Sequence, residues 1–156
     1  MAVIYVGAQS EIEQKELKDR VDDALAATRA AIEEGYVPGG GTALLRAGNE
    51  LDSEGLNQDE KIGYEIVKKA TQAPIRTICK NAGKSGDVVI NEVLADQINM
   101  DHGYDARNDK FTDMVKDGII DPAKVVRCSL INAASVASTV LTTECLVCDE
   151  PKKDDR

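Results

Sequence analysis

The chain has 156 residues, a length that suits one domain or two small ones and is enough to bury a core. Its 19 Lys and Arg against 28 Asp and Glu give a formal charge of −9, and aromatic residues make up only 3% of it. This balance excludes a basic or base-stacking surface, so we expect no nucleic-acid partner. We expect no membrane partner either, because no apolar run approaches the length that crosses a bilayer.

The first predicted element is a short strand over residues 2–6, a β-branched run that ends at Gly7. It has no partner nearby, so the chain is expected to be a piece of a longer protein. A long helix follows, with Ser10 as N-cap, Glu13 completing a capping box, and Gly35 ending it after about Glu34.

One apolar stripe runs along this helix. Its members recur at spacings of three and four residues, which is the helical period: Leu17, Val21, Leu25, Thr28 and Ile32. Asp23 lies almost opposite the stripe.

Three consecutive glycines, Gly39, Gly40 and Gly41, lead into a second helix predicted to end near Leu51. Without Cβ atoms the backbone can adopt positive φ and let another group approach its N–H donors. A glycine turn that leads into a helix N-terminus is a good seat for phosphate. A tight helix–helix corner is the alternative, and the motif alone does not decide between them.

A third helix is predicted to start near Asp59 and to break at Pro74, with a separate short helix from Ile75. The Gly-Lys-Ser tripeptide at 83–85 lacks the first glycine of a phosphate-binding loop and no strand precedes it. It is interpreted as a turn before a helix that Asp87 caps.

The remaining chain begins with a polar, turn-rich stretch over 99–113, which predicts a loop. Asp121 is a candidate N-cap with Pro122 at the first position of a last helix to about Leu141. A terminal strand is predicted over 142–148, and a frayed tail over 151–156.

The four cysteines are interpreted as reduced, partly buried thiols. Cys145 and Cys148 form a Cys-x-x-Cys pair, but the other candidate metal ligands, Cys79, Cys128 and His102, are scattered along the chain. We therefore expect no metal site within the chain.

Three aspartates are the candidate residues for chemistry at a bound phosphate. Asp23, Asp105 and Asp121 each follow or face a turn that contains glycine. A carboxylate near a bound triphosphate could orient an attacking water or help to hold Mg²⁺. Spacing alone does not show that these residues meet.

Several segments together resemble the group I chaperonins, the GroEL family. They are AVIYVG at the start, RVDDALAATRAAIEEGYVPGGGTAL, GYDA, GIIDPAKV and AASVASTVLTTECLV. The resemblance covers Ala2 to Glu150, and details such as PGGG and Tyr104-Asp105 are closer to the mitochondrial type.

The resemblance implies a mainly α fold: a helical bundle of the chaperonin equatorial domain type, with a long helix from the intermediate domain and short terminal β-strands. It divides the chain into the end of an intermediate domain (1–37), the C-terminal half of an equatorial, ATP-binding domain (38–150) and the tail.

It also implies roles for individual residues. Asp23 matches the catalytic aspartate that activates water. The residues implied to bind the nucleotide are Gly39, Gly40 and Gly41, then Tyr104, Asp105 and Ala106 around the adenine, and Ile119 with Asp121 at base and ribose. The segment matched to the adenine also includes Arg107. The implied cofactors are ATP and Mg²⁺, with the magnesium ligands outside this chain.

The expected function is therefore part of an ATP-dependent chaperonin subunit that assists folding in a ring-shaped chamber, supplying half of the ATP site and a hinge. The implied partners are the other subunits of a homo-oligomeric ring, and a co-chaperonin and unfolded proteins bound through an apical domain that this chain lacks.

By itself the chain is expected to be inactive and to self-associate. The expected location is the mitochondrial matrix, with the bacterial cytoplasm or another organelle as alternative. A self-contained helical interaction module without nucleotide chemistry is the alternative function.

Overall fold

The computed structural model describes residues 2–149. The described helices are α1 (Glu11–Glu34), α2 (Thr42–Glu50), α3 (Gln58–Ala70), α4 (Ala73–Asn81), α5 (Gly86–Ala95) and α6 (Ala123–Leu141). The described strands are β1 (Tyr36–Pro38), β2 (His102–Asp105), β3 (Lys110–Asp113) and β4 (Ile120–Pro122). The predicted mainly α fold is confirmed. The predicted tail at 151–156 lies outside the described residues.

The chain divides into two compact units, Met1–Val126 and Arg127–Arg156, and α6 runs across the division. The described part of the second unit contains the rest of α6, and its side chains are exposed apart from that of Cys128. Its exposed apolar residues include Leu130, Ile131 and Leu141.

Helix α1 has the predicted bounds and cap residues, but among the described residues only one of the two hydrogen bonds of the predicted Ser10–Glu13 capping box forms. The Ser10 hydroxyl accepts a hydrogen bond from the N–H of Glu13 at 3.3 Å, and the helix ends at Gly35, whose φ is +80°. The N–H of Gly35 donates to the Ala31 carbonyl. Local sequence therefore determines where this helix begins and ends, although no residue of it is buried.

The predicted starts of α4 and α5 are wrong. Helix α4 begins at Ala73 and contains Pro74 in its first turn, where a missing N–H costs nothing. Helix α5 begins at Gly86 with Ser85 as N-cap, so Asp87 does not cap it. The Asp87 carboxylate instead pairs with Arg76 of α4 at 2.6 Å.

The strands also differ from the prediction. Residues 2–8 and 143–149 form no strand, because no described segment pairs with them and an isolated strand leaves its backbone groups unpaired. Two antiparallel pairs form inside the chain, β1 with β4 and β2 with β3. The predicted loop at 99–113 thus contains a hairpin. Asp121 and Pro122 lie in β4, opposite Val37 and Tyr36, rather than at the start of the last helix.

The core lies among α2, α4, α5 and β2, within residues 36–122, which we call the core region. Its buried side chains are Leu45, Ile75, Cys79, Val89, Ile90, Val93 and Tyr104. The buried guanidinium of Arg46 donates to the carbonyls of Val93, Asp96, Asn99 and His102. Arg46 thereby fastens α2 to the end of α5 and the start of β2.

Helix α6 corrects one expectation from composition. Among the described helices it is the one that is long and apolar enough to cross a membrane, by length and composition only. The apolar length of α6 was not recognised in the sequence because the helix contains many small residues and two charged ones, Lys124 and Arg127.

Candidate functional site

A cavity of about 590 Å³ lies in the core region beside the glycine turn and the β2–β3 hairpin. Five of the predicted site residues line it: Gly40, Tyr104, Asp105, Ala106 and Ile119. They come from three separate segments of the chain, so the fold brings together residues that spacing alone could not connect.

The glycine turn is in close contact with the backbone of two other segments, at Ile119 and at Ile75. The N–H of Gly39 donates to the Ile119 carbonyl at 2.9 Å. A Cβ on Gly41, whose φ is +80°, would lie 2.7 Å from the backbone nitrogen of Ile75. Side chains are therefore excluded here by close backbone approach as well as by φ.

The turn keeps two unused donors. Within the described part of the chain, the N–H groups of Gly40 and Gly41 donate to no acceptor, whereas that of Thr42 donates to the Gly39 carbonyl at 3.1 Å. Gly40 also lines the cavity. Free N–H donors at the start of α2 can bind an anion.

Asp105 shapes the turn between β2 and β3. One carboxylate oxygen accepts the N–H groups of Arg107 and Asn108 at 2.9 and 3.2 Å, and the other accepts the Asn108 side-chain amide at 2.6 Å. The Asn108 side chain contributes most to lowering the pKa of Asp105, so this buried carboxylate is ionised at neutral pH and acts only as an acceptor.

Tyr104 forms the neighbouring wall. Its ring is 5% exposed and its hydroxyl donates to Asp109 at 2.8 Å. Burial, followed by the hydrogen bond to Asp109, raises the pKa of Tyr104 to about 12, so the phenol is neutral. The Phe111 ring lies against it with a centroid separation of 5.4 Å.

An ion pair lies at the edge of the cavity. The Lys110 ammonium donates to Asp117 at 2.8 Å, and the Thr112 hydroxyl donates to the same oxygen at 2.8 Å. Asp117 raises the pKa of Lys110, and Lys110 in turn lowers the pKa of Asp117. The pair places a charge of each sign beside the cavity.

Asp121, Gly39 and Gly41 do not line the cavity but lie next to it in the chain. Asp121 is half-buried in β4, paired in register with Val37, and burial raises its pKa. Its carboxylate has no partner among residues 2–149, so it is available to a ligand hydroxyl.

Asp23 lies apart from these residues. It is exposed in α1 and is not among the residues that line the cavity. Its catalytic role stays a prediction.

Arg107, which ends the segment matched to the adenine, also lines the cavity. Sequence reasoning did not select five further lining residues: Ile78, Asn108, Lys110, Met114 and Asp117. Asn108 directly follows Arg107, so treating 99–113 as a hairpin would have suggested it. Met114 and Asp117 lie just before Ile119, in a segment with no turn signal other than Gly118.

No group of three or more His, Cys, Asp or Glu side chains within residues 2–149 is close enough to hold a metal ion. All four cysteines are free: Cys79 is buried, Cys128 partly so, and Cys145 and Cys148 are exposed. Burial raises the pKa of the Cys79 thiol, which keeps it protonated.

The structure combines a set of helices with a glycine turn and the β2–β3 hairpin. This is a helical fold of the chaperonin equatorial type. Residues 1–151 match the TCP-1/cpn60 chaperonin family, and the chain belongs to that family. The structure is similar to that of a group III chaperonin crystallised in the open state, with a TM-score of 0.82 and 29% identity. The match covers 91% of this chain and 30% of that one, so this chain spans about a third of that length. Membership of group I stays a prediction.

Proposed function

We propose that this chain is part of an ATP-driven chaperonin subunit that assists protein folding, and that its cavity is half of the nucleotide site. The observation that carries this proposal is the cavity itself. It gathers five of the residues that the family resemblance assigns to a nucleotide, from segments far apart in sequence.

The chain's own groups suit the parts of a nucleotide. The free N–H groups of Gly40 and Gly41 would bind a phosphate oxygen, and the unpartnered Asp121 carboxylate would accept a ribose hydroxyl. Ile78, Ala106 and Ile119 would provide an apolar surface for the base. Bound Mg²⁺ would neutralise phosphate charge, and we propose that its ligands belong to parts of the subunit outside this chain.

Asp23 is proposed to orient the attacking water. It is exposed on α1 and outside the cavity, so this role requires α1 to move relative to the site. Gly35, with a φ of +80° and open space around its Cα, lies where α1 meets β1 and is the proposed hinge residue.

The partners follow from the same proposal. In the complete subunit we propose a homo-oligomeric ring, with a co-chaperonin and unfolded proteins bound through an apical domain. The proposed location is the mitochondrial matrix. The exposed apolar side chains of α6 support self-association of the isolated chain.

Calorimetric titration with ATP, with and without Mg²⁺, tests the half-site on this chain and on the full-length subunit. We expect binding only by the full-length subunit and no ATP turnover by the chain alone, because positioning and metal need both halves. If neither protein binds ATP, the cavity is not a nucleotide site. If the chain binds and hydrolyses ATP alone, the half-site proposal is wrong.

Asp23→Ala in the full-length subunit tests the catalytic role. We expect unchanged ATP affinity and a loss of turnover of about 100-fold or more, as for other groups that position an attacking water. Asp22→Ala, the exposed neighbour on the same helix, is the control and should turn over normally. Equal loss of binding and turnover in Asp23→Ala would contradict the role.

A further inference from the structure

Asp109 has an unusual backbone. Within the described chain it is the one residue other than glycine with a positive φ, at +52°. It ends the four-residue turn that joins β2 to β3, and aspartate is among the few L-residues that adopt this conformation at small cost. The backbone conformation of the turn therefore sets the direction in which the Asp109 side chain leaves the chain.

The Asp109 carboxylate joins two elements with its two oxygens. One accepts the Tyr104 hydroxyl at 2.8 Å, and the other binds the Lys84 ammonium at 2.5 Å. Tyr104 belongs to β2, whereas Lys84 lies in the connection between α4 and α5. The two contacts lower the pKa of Asp109, Lys84 contributing most, so the carboxylate is charged at neutral pH.

Asp109 does not line the cavity, but the residues before it do. Asp105 fixes the internal shape of the turn through Arg107 and Asn108. That network lies within the turn and does not fasten it to the α4–α5 connection. The contact between Asp109 and Lys84 does.

We propose that Asp109 is a positioning residue for this site, anchoring the β2–β3 turn to the α4–α5 connection so that Ala106, Arg107 and Asn108 hold their places along the cavity. The consequence for nucleotide affinity rests on the proposed function, whereas the anchoring of the turn does not. The Gly-Lys-Ser tripeptide thereby acquires a role, since its lysine serves the site through Asp109 rather than by binding phosphate itself.

The anchor can be removed without unfolding the protein. The side chains of Lys84 and Asp109 are 44% and 57% exposed, and an ion pair this exposed contributes little to global stability. Asp109→Asn keeps the size of the side chain and tolerates the left-handed backbone, while it removes the charge that binds Lys84.

Amide hydrogen exchange on this chain tests the anchoring without any ligand. In Asp109→Asn we expect the N–H groups of Arg107 and Asn108 to exchange about two- to fivefold faster, as the loss of an exposed ion pair allows, while the amides of α4 and α5 are unchanged. Asp87→Asn, which removes the exposed pair with Arg76, is the matched control and should leave the turn unchanged. Unchanged exchange at Arg107 and Asn108 in Asp109→Asn would overturn the proposal.

Nucleotide affinity tests the consequence in the full-length subunit. With ADP and Mg²⁺ as the probe, we expect Asp109→Asn to bind about two- to fivefold more weakly, and Asp87→Asn to bind normally. Lys84→Met should weaken binding in the same direction, and combining it with Asp109→Asn should add little, because both remove one contact. If Asp109→Asn fails to fold, Lys84→Met decides the outcome in both measurements.

The hydrogen-exchange and affinity measurements distinguish a failure of the proposed function from a failure of the positioning role of Asp109. If the unaltered full-length subunit binds no nucleotide, the proposed function fails and hydrogen exchange alone decides the anchoring. If it binds, and Asp109→Asn binds equally well, the proposed function stands and the positioning role of Asp109 is wrong.

Discussion

Helix α1 and the core region show two different outcomes of equally clear local sequence signals. Helix α1 has 24 residues, both caps and an apolar stripe, yet none of its residues is buried. Helix α2 has nine residues and buries four, namely Thr42, Leu45, Arg46 and Gly48. Leu25 and Ile32 of the α1 stripe remain 45% and 81% exposed. An apolar stripe makes a helix fit for packing, but only a facing element provides the burial that stabilises it.

The largest expected difference between the two regions concerns their glycines. Gly41→Ala should lower the free energy of unfolding by about 4 kcal/mol or more, because a strained φ and a backbone clash with Ile75 act together. Gly35→Ala should cost less, about 2 kcal/mol, because the Gly35 backbone (φ +80°, ψ −166°) strongly favours glycine but an added Cβ would meet open space. Urea denaturation of both variants measures the difference, and equal costs would show that the clash with Ile75 adds nothing to the backbone strain.

Truncation of apolar side chains should give the next largest effect. Ile75 is 1% exposed, so Ile75→Ala should destabilise the chain by about 3 kcal/mol through lost burial and a cavity. Leu25→Ala on α1 should cost less than about 1 kcal/mol, since half of that side chain is already in water. Denaturation midpoints measure both, and a large cost at Leu25 would mean that α1 packs on a surface in solution.

The hairpin should make stability depend on acid pH. Hydrogen bonds from the Lys116 backbone N–H and ammonium lower the pKa of Asp113 to about 2, and the pKa values of Asp105 and Asp117 are also lowered. A lowered pKa means that the folded state binds fewer protons, so this stabilisation is present above about pH 4 and is lost as the pH falls towards 2. Thermal unfolding of the chain across this range should show the loss, and Asp113→Asn should reduce it. An unchanged acid slope in Asp113→Asn would contradict the assignment.

The smallest expected effect is a gain. The Thr42 hydroxyl is fully buried and has no hydrogen-bond partner among the described residues. Thr42→Val should therefore stabilise the chain by about 1 kcal/mol, since it removes an unsatisfied polar group at constant shape. Thr71→Val is the matched control and should destabilise the chain, because the Thr71 hydroxyl donates to the Lys68 carbonyl at 2.8 Å. A loss of stability in Thr42→Val would indicate a buried water on that hydroxyl.

Much of the fold followed from local signals, and the failures share one cause. Ser10 and Gly35 delimited α1 because a cap bonds within its own turn. The strand predicted at 2–6 and the hairpin missed at 99–113 failed for opposite reasons. The first has strong β propensity but no described partner, whereas the second is polar but pairs Tyr104 with Phe111. Strand formation depends on a partner that propensity does not identify.

The candidate site divides in the same way. The glycine turn was found from its local motif and the Tyr104-Asp105-Ala106 segment through the family resemblance. The structure places Gly40 and these three residues at one cavity. Lys110 and Asp117 were not found, because ordinary charged residues carry no local signal of a cavity. Asp105 was selected as a ligand contact, and the structure adds that it holds the turn through Asn108.

The sequence by itself determined which segments are helical, the cap residues of α1, the family and the glycine turn, because each depends on neighbours within a few residues or on a matched motif. Tertiary structure alone decided that Gly41 lies against Ile75, that Arg46 fastens α2 to α5, and that Asp109 links Tyr104 to Lys84. These contacts join residues from about five to about fifty positions apart. Their partners are selected by packing and hydrogen-bond satisfaction over the whole core region, which no local pattern encodes.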